Sequence, residues 1–309
     1  MSAPVLRRIA AVRTDDGAVL HASVDGPDDA PVTVVLAHGW TLAQAAWDDV
    51  ADLLRPRAAA GELRLIRYDQ RGHGRSSWGD ADISIDRLGE DLAALLDQLV
   101  PSGPVVLGGH SMGGRTIMCL AAARPELFGD RVRGVALVST SAGDLTADPR
   151  SPAGTWARLT PGMLNAAVSG AWLVERMRAL LPPEHPRHRA IVRNLLYGAD
   201  ATDEMVLAGA EIMHATTVRA FTAFLPALGD HDKSAELAAL SRVPVEILVG
   251  DTDRLTPQKH SRRLAEALPS ATLHVVPRTG HMLPQERARL AADALGRLVA
   301  AAVGRPVAV

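Results

Sequence analysis

Apolar and polar positions along the chain predict short strands separated by amphipathic helices. Residues 5–24 hold two stretches bearing Val and Leu on either side of Asp15-Asp16-Gly17, a turn signal, and read as a β-hairpin. Short apolar runs at 33–37, 63–68, 105–107, 132–138, 245–249 and 272–276 have the length of buried strands. Helical patterns lie between them. Residues 47–54 place apolar side chains at 47, 50 and 54. After Ser84, an N-cap candidate, Leu88, Leu92, Leu95, Leu96 and Leu99 fall on one face. Residues 114–123 and 284–303 complete the set, with Pro284 suited to a first turn. Strands that alternate with helices predict an α/β fold: a mainly parallel sheet covered on both faces, here eight-stranded once the hairpin is counted.

Residues 144–235 break this rhythm. They contain no strand-like segment, and helical runs at 171–181 and 203–228 are joined by the proline-rich 182–186. The expected organisation is a core of 1–143 and 236–309 interrupted by a helical cap at 144–235, with a frayed tail from 304. Composition adds little direction. At 309 residues, 47% hydrophobic and 22% charged, the chain is an ordinary globular one, and a net charge of −2 gives no support for nucleic-acid or anionic-membrane binding. Its one cysteine, Cys119, excludes an internal disulfide and reads as a small buried hydrophobe. The first residues carry no secretory signal and no run of 18 apolar residues exists, so a cytoplasmic protein without a membrane span is expected by default.

The chemistry starts at residues 105–113, Val-Val-Leu-Gly-Gly-His-Ser-Met-Gly. Gly109-His110-Ser111-Met112-Gly113 fits G-x-S-x-G, a pattern that arises by chance in about one chain in ten of this composition, so its context carries the argument. A strand precedes it and a helix follows. A serine on such a turn projects its hydroxyl from the sheet, and the flanking glycines let strand and helix approach. A serine hydroxyl needs a base, and the base needs an orienting group. His281, after the run 272–276 and beside Gly280, is placed to be the base. For the acid, Asp251 and Asp253 both follow the run 245–249; the deeper Asp253 is favoured, which leaves Asp251 to cap the turn. Oxyanion donors would be the backbone N–H groups of Met112 and of Trp40, the latter in the loop after 33–37. His38, His73 and His110 read as local structural hydrogen-bonders. No metal site is expected, since His185 and His188 stand in a proline-broken stretch, and Gly108-Gly109 is no phosphate loop.

His38-Gly39-Trp40, the run Asp69-Gln70-Arg71-Gly72-His73-Gly74-Arg75-Ser76, the Ser111 pentapeptide with Gly114, Gly250-Asp251-Thr252-Asp253 with Pro257, and Gly280-His281 occur in this order. In these motifs the chain resembles the α/β-hydrolase superfamily over nearly its whole length. The resemblance implies Ser111 as nucleophile, Asp253 as acid, His281 as base and a helical cap between the sixth and seventh core strands. Relatives that act on epoxides or haloalkanes carry Asp at the nucleophile position, so Ser111 argues against both activities. The expected function is a serine hydrolase that needs no cofactor and cleaves a small carboxylic ester. Thioester, lactone, perhydrolytic or C–C bond chemistry on the same triad, or a weakly catalytic ligand-binding relative, are the alternatives. Oligomeric state is not indicated. Pocket candidates are Trp40 and the face Phe221, Phe224, Leu225 and Leu228, though a helix must bury such a face in any case. Arg176 and Arg178 could meet a substrate carboxylate or simply face solvent.

Overall fold

A computed structural model describes residues 7–143 and 182–304. The expected helix at 171–181, with Arg176 and Arg178, lies outside the described residues. Eight strands form one sheet in the order β1-β2-β4-β3-β5-β6-β7-β8. They are β1 Arg8–Arg13, β2 Val19–Asp25, β3 Thr33–Ala37, β4 Arg64–Tyr68, β5 Val105–His110, β6 Val132–Val138, β7 Val245–Gly250 and β8 Thr272–Val276. β1 pairs antiparallel with β2, and β2 with β4; every other neighbour pair is parallel.

The central strands are near-continuous apolar runs because both faces are covered. Val35, Ile66, Leu107, Leu137 and Ile247 point into one core, packed under α2 Ile85–Leu99, α3 Met112–Ala123 and the helix at Gln258–Ala267. The alternate residues Val34, Leu36, Leu65, Val106, Ala136 and Leu248 point into a second core under α1 Asp48–Ala59 and the C-terminal helix. The register aligns the carboxyl ends: Ala37 stands opposite Gly109, His110 opposite Val138, and Gly250 opposite Val276. The loops after β3, β5, β7 and β8 therefore leave from one rim, where ligands gather in parallel α/β sheets.

Helix ends depart from the apolar pattern. α1 runs on to Ala59 with Pro56 inside it. α3 begins at Met112, before Gly114. Pro186 does not close a loop but opens a further helix, α4 Pro186–Leu196, as its first residue, and the His185 side chain accepts from Arg187 N–H. The apolar run 203–228 is two helices, α5 Asp203–Ala215 and α6 Val218–Asp230, each started by a threonine: the side chains of Thr202 and Thr217 accept from the N–H of Met205 and Ala220. The helix Gln258–Ala267 is α7. The expected terminal helix is split at Arg287 into α8 Leu283–Glu286 and α9 Ala288–Ala302. Among the described residues, no helix is long and apolar enough to cross a membrane.

The run Asp69–Ser76 after β4 braces this rim. Arg71 is fully buried and forks onto Asp91, with both contacts at 2.6 Å, and it also reaches Asp16 at 2.7 Å. A buried guanidinium held by two carboxylates fixes α2 and the β1–β2 turn against the loop.

Candidate active site

Ser111 joins β5 to α3 with φ +54° and ψ −116°, a conformation that costs a non-glycine residue about 1–3 kcal/mol. The surroundings over-determine it. Its N–H donates to Val138 C=O at 2.9 Å, and its C=O accepts from Gly114 N–H at 3.0 Å and from Thr140 Oγ1 at 2.7 Å. Both flanking glycines are required by space. A Cβ on Gly113 would lie 2.2 Å from the Ala37 carbonyl oxygen, and one on Gly109 would lie 2.5 Å from Gly113 O. Any side chain at either position would push α3 off the sheet. One turn on, Arg115 ties α3 to its neighbours by donating to Leu228 C=O at 2.7 Å and Ser141 Oγ at 2.8 Å.

Asp253 and His281 meet although 28 residues separate them. Asp253 Oδ2 and Oδ1 lie 2.9 and 3.1 Å from His281 Nδ1. Oδ1 also accepts from the N–H of Leu255 and Thr256, each at 2.9 Å, and Oδ2 from Thr256 Oγ1 at 2.8 Å. Burial alone would push this carboxyl up, but the facing imidazole and the Thr256 donors hold it below the ordinary aspartate range. Asp251 is exposed instead and accepts from Thr279 N–H at 3.3 Å. The His281 loop is tied to the serine strand, because His110 Nε2 lies 2.9 Å from His281 C=O.

The loop after β3 passes Ser111 closely: a Cβ on Gly39 would lie 3.1 Å from Ser111 Cβ. Among the described residues, neither Trp40 N–H nor Met112 N–H has an acceptor, and Met112 is the first residue of α3. Thr41, at φ +61°, donates its N–H to His73 Nε2 at 3.3 Å, and its C=O accepts from Thr216 Oγ1 at 2.7 Å. The Trp40 indole packs against Phe221 with ring centroids 4.7 Å apart and the planes tilted by 34°.

Three buried histidines brace the site, and the hydrogen bonds fix their tautomers. A carbonyl can only accept, so His38 Nδ1 donates to Gly39 C=O at 2.7 Å, and its Nε2 accepts from Gln70 N–H at 2.9 Å. His73 likewise donates from Nδ1 to Arg71 C=O, while His110 donates from Nε2 to His281 C=O. All three are neutral. Burial pushes His73 and His110 down to about 3, and lowers His38 as well. Unfolded histidine titrates near 6.5, so below that pH the unfolded chain binds protons that the folded chain refuses, and stability falls as pH falls. His73 and His110 together should remove about 4 kcal/mol between pH 7 and pH 5. Urea midpoints measured across this window should drop steeply; a flat profile would show that these rings are not held neutral.

Of the pocket candidates, Phe221 and Trp40 touch each other at the rim. Phe224 is fully buried between His73 and Trp78, and belongs to the packing with Ile85, Leu88 and Met112. Leu225 and Leu228 are half-buried. Sequence reasoning passed over Thr256, which serves Asp253, and Gln70, whose side chain donates to His38 C=O at 2.6 Å and accepts from Thr116 Oγ1 at 2.7 Å. Neither carries a pattern of its own; Gln70 stood inside the Asp69–Ser76 run without an assigned task.

Comparison with known proteins agrees with this fold. The sequence profile described as "Alpha/beta hydrolase family" matches residues 34–294. Lipase LipV of Mycobacterium tuberculosis is 30% identical over 269 residues, covering 81% of this chain and 97% of that protein. An enol-lactonase from Burkholderia xenovorans superposes with a TM-score of 0.68 at 25% identity, covering 94% of this chain and 99% of the other. A bromoperoxidase from Bacillus anthracis, 22% identical, shares the fold with a TM-score of 0.73 over 94% of this chain and 99% of its own. With its sheet order, its strained serine turn and a family profile spanning most of its length, the chain belongs to the alpha/beta hydrolase family.

Proposed function

We propose that the protein is a serine hydrolase that cleaves a small carboxylic ester through an acyl-enzyme on Ser111. The observation that carries this reading is the Asp253 carboxylate on His281 Nδ1, in a loop bonded to the strand that presents Ser111. With Nδ1–H directed at the carboxylate, Nε2 is the free base position. His281 takes the Ser111 proton while Oγ attacks the ester carbonyl. The N–H groups of Trp40 and Met112 receive the oxyanion, and the N-terminus of α3 adds its positive end. The imidazolium then gives its proton to the departing alcohol. Water, deprotonated by His281, releases the acid and regenerates the serine. Nucleophile, base and donors all come from the chain, so the cycle calls for no cofactor.

Residues 144–235 act in this reading as a cap over a core of 1–143 and 236–309. The Trp40–Phe221 contact is the support for placing a pocket wall there, with Leu225 and Leu228 on the same helix. A lactone is the cyclic form of the same bond, and the enol-lactonase among the structural neighbours makes it the second substrate class to assay.

A fluorophosphonate probe tests the reading directly. Rapid labelling of one residue, located at Ser111 by peptide mass, is the expected result. No labelling, together with stabilisation by small ligands, would make the protein a binder rather than an enzyme.

A further inference from the structure

Five residues beyond His281, Glu286 ends α8 with only 5% of its surface exposed. Among the described residues, no cation lies within ion-pair distance of it. Each carboxylate oxygen instead accepts a backbone N–H: Oε1 from Gly280 at 2.9 Å and Oε2 from Gly198 at 2.7 Å. Gly280 immediately precedes His281, and Gly198 follows α4, in the segment between β6 and β7. The same two segments are bonded again, since Leu196 C=O accepts from His281 N–H at 2.7 Å and from Met282 N–H at 3.1 Å.

The two backbones lie in direct contact. A Cβ on Gly280 would come within 2.5 Å of Leu196 O, and one on Gly198 within 2.2 Å of Arg278 O. Arg278 itself has φ +55°. Burial pushes this carboxyl up, and the two N–H groups with the neighbouring Arg287 charge offset only part of that cost. Its two oxygens point at the two N–H groups that would otherwise be stranded at this contact. A neutral side chain of the same shape cannot serve both, because an amide offers one acceptor oxygen.

We infer that Glu286 is a positioning residue: it staples the His281 loop to the turn after α4, so that the inserted helices help to set the imidazole against Asp253 and Ser111. The inference rests on the proposed role of His281 as the base. It gives the segment after α4 a part in the catalytic scaffold beyond that of covering a substrate.

The experiment compares the full-length wild type, Glu286→Gln and Tyr197→Phe. Tyr197 packs at the same contact, where its hydroxyl reaches Met205 C=O and Gln285, but it makes no hydrogen bond to the His281 loop. Amide exchange is read at Gly198, Gly280 and His281, alongside kcat and KM on a p-nitrophenyl ester well below the melting temperature of each variant. Slow exchange at Gly198 and Gly280 is expected in the wild type, and fast exchange there overturns the staple without any variant. In Glu286→Gln, exchange at one or both glycines and at His281 should rise at least about tenfold. Activity should fall about 10–100-fold in kcat, with KM within about twofold, as expected for a misplaced base. Tyr197→Phe should leave kcat within about twofold. Unchanged exchange in Glu286→Gln overturns the inference, as does a kcat loss that Tyr197→Phe reproduces. Fluorophosphonate labelling of the wild type separates the two levels: if it fails, the hydrolase reading fails, while the exchange data still decide whether Glu286 holds the loop.

Discussion

Ser111→Ala is expected to lower kcat on short p-nitrophenyl esters by about 10⁴–10⁶-fold and to abolish fluorophosphonate labelling. The size follows from the position. The turn at φ +54° is held by backbone bonds to Val138 and Gly114 and by the Thr140 hydroxyl, none of which uses Ser111 Oγ. Alanine keeps every one of those bonds, so the fold and its stability should change by less than about 1 kcal/mol. Under the proposed mechanism, the strain at this turn serves to present the hydroxyl to a substrate. Substrate affinity should survive, because the proposed oxyanion donors, Trp40 and Met112 N–H, and the proposed pocket wall are untouched. Turnover retained in a correctly folded Ser111→Ala would remove the acyl-enzyme from the mechanism.

The sheet was legible because fully buried strands leave a coarse mark: uninterrupted apolar runs that no surface helix tolerates. The site was legible where chemistry forces a residue type onto a fixed turn. The β5–α3 junction admits only the smallest residues at Gly109 and Gly113, which makes the turn around Ser111 readable, and the register of β7 and β8 brings the loops of Asp253 and His281 side by side. What escaped depended on tertiary partners. The run 203–228 has the apolar content of one helix, and its division rests on Thr217, whose role as a cap is visible only once the chain has turned there. Phe224 and Phe221 share a helical face, yet one is sealed between His73 and Trp78 and the other packs against Trp40 at the rim. Periodicity assigns a face and says nothing of what meets it. Glu286 reads as an ordinary charged residue near a helix start; the groups that claim its oxygens are backbone N–H groups, which have no signature in sequence, and one of them is 88 residues away.

Asp253→Asn should cost about 10⁴-fold in kcat, and Asp251→Asn less than about threefold. The argument turns on donors and acceptors. Oδ1 of Asp253 receives two backbone N–H groups, from Leu255 and Thr256, so an asparagine must place its carbonyl oxygen there. Its NH₂ then occupies the Oδ2 position, which faces Thr256 Oγ1 and His281 Nδ1. The threonine hydroxyl can rotate to accept. The imidazole can accept at Nδ1 only by moving its proton to Nε2, the nitrogen that must be free to receive the serine proton. Asparagine therefore preserves the shape of the site and inverts its proton inventory. Asp251 presents no such conflict: it is exposed and accepts a single N–H, from Thr279, which an asparagine oxygen accepts equally well. Steady-state kinetics on one ester for both variants gives the ranking, with KM near the wild-type value in each. If Asp251→Asn proved the more damaging, the acid role would pass to Asp251 and the base would be oriented from the outer side of the loop.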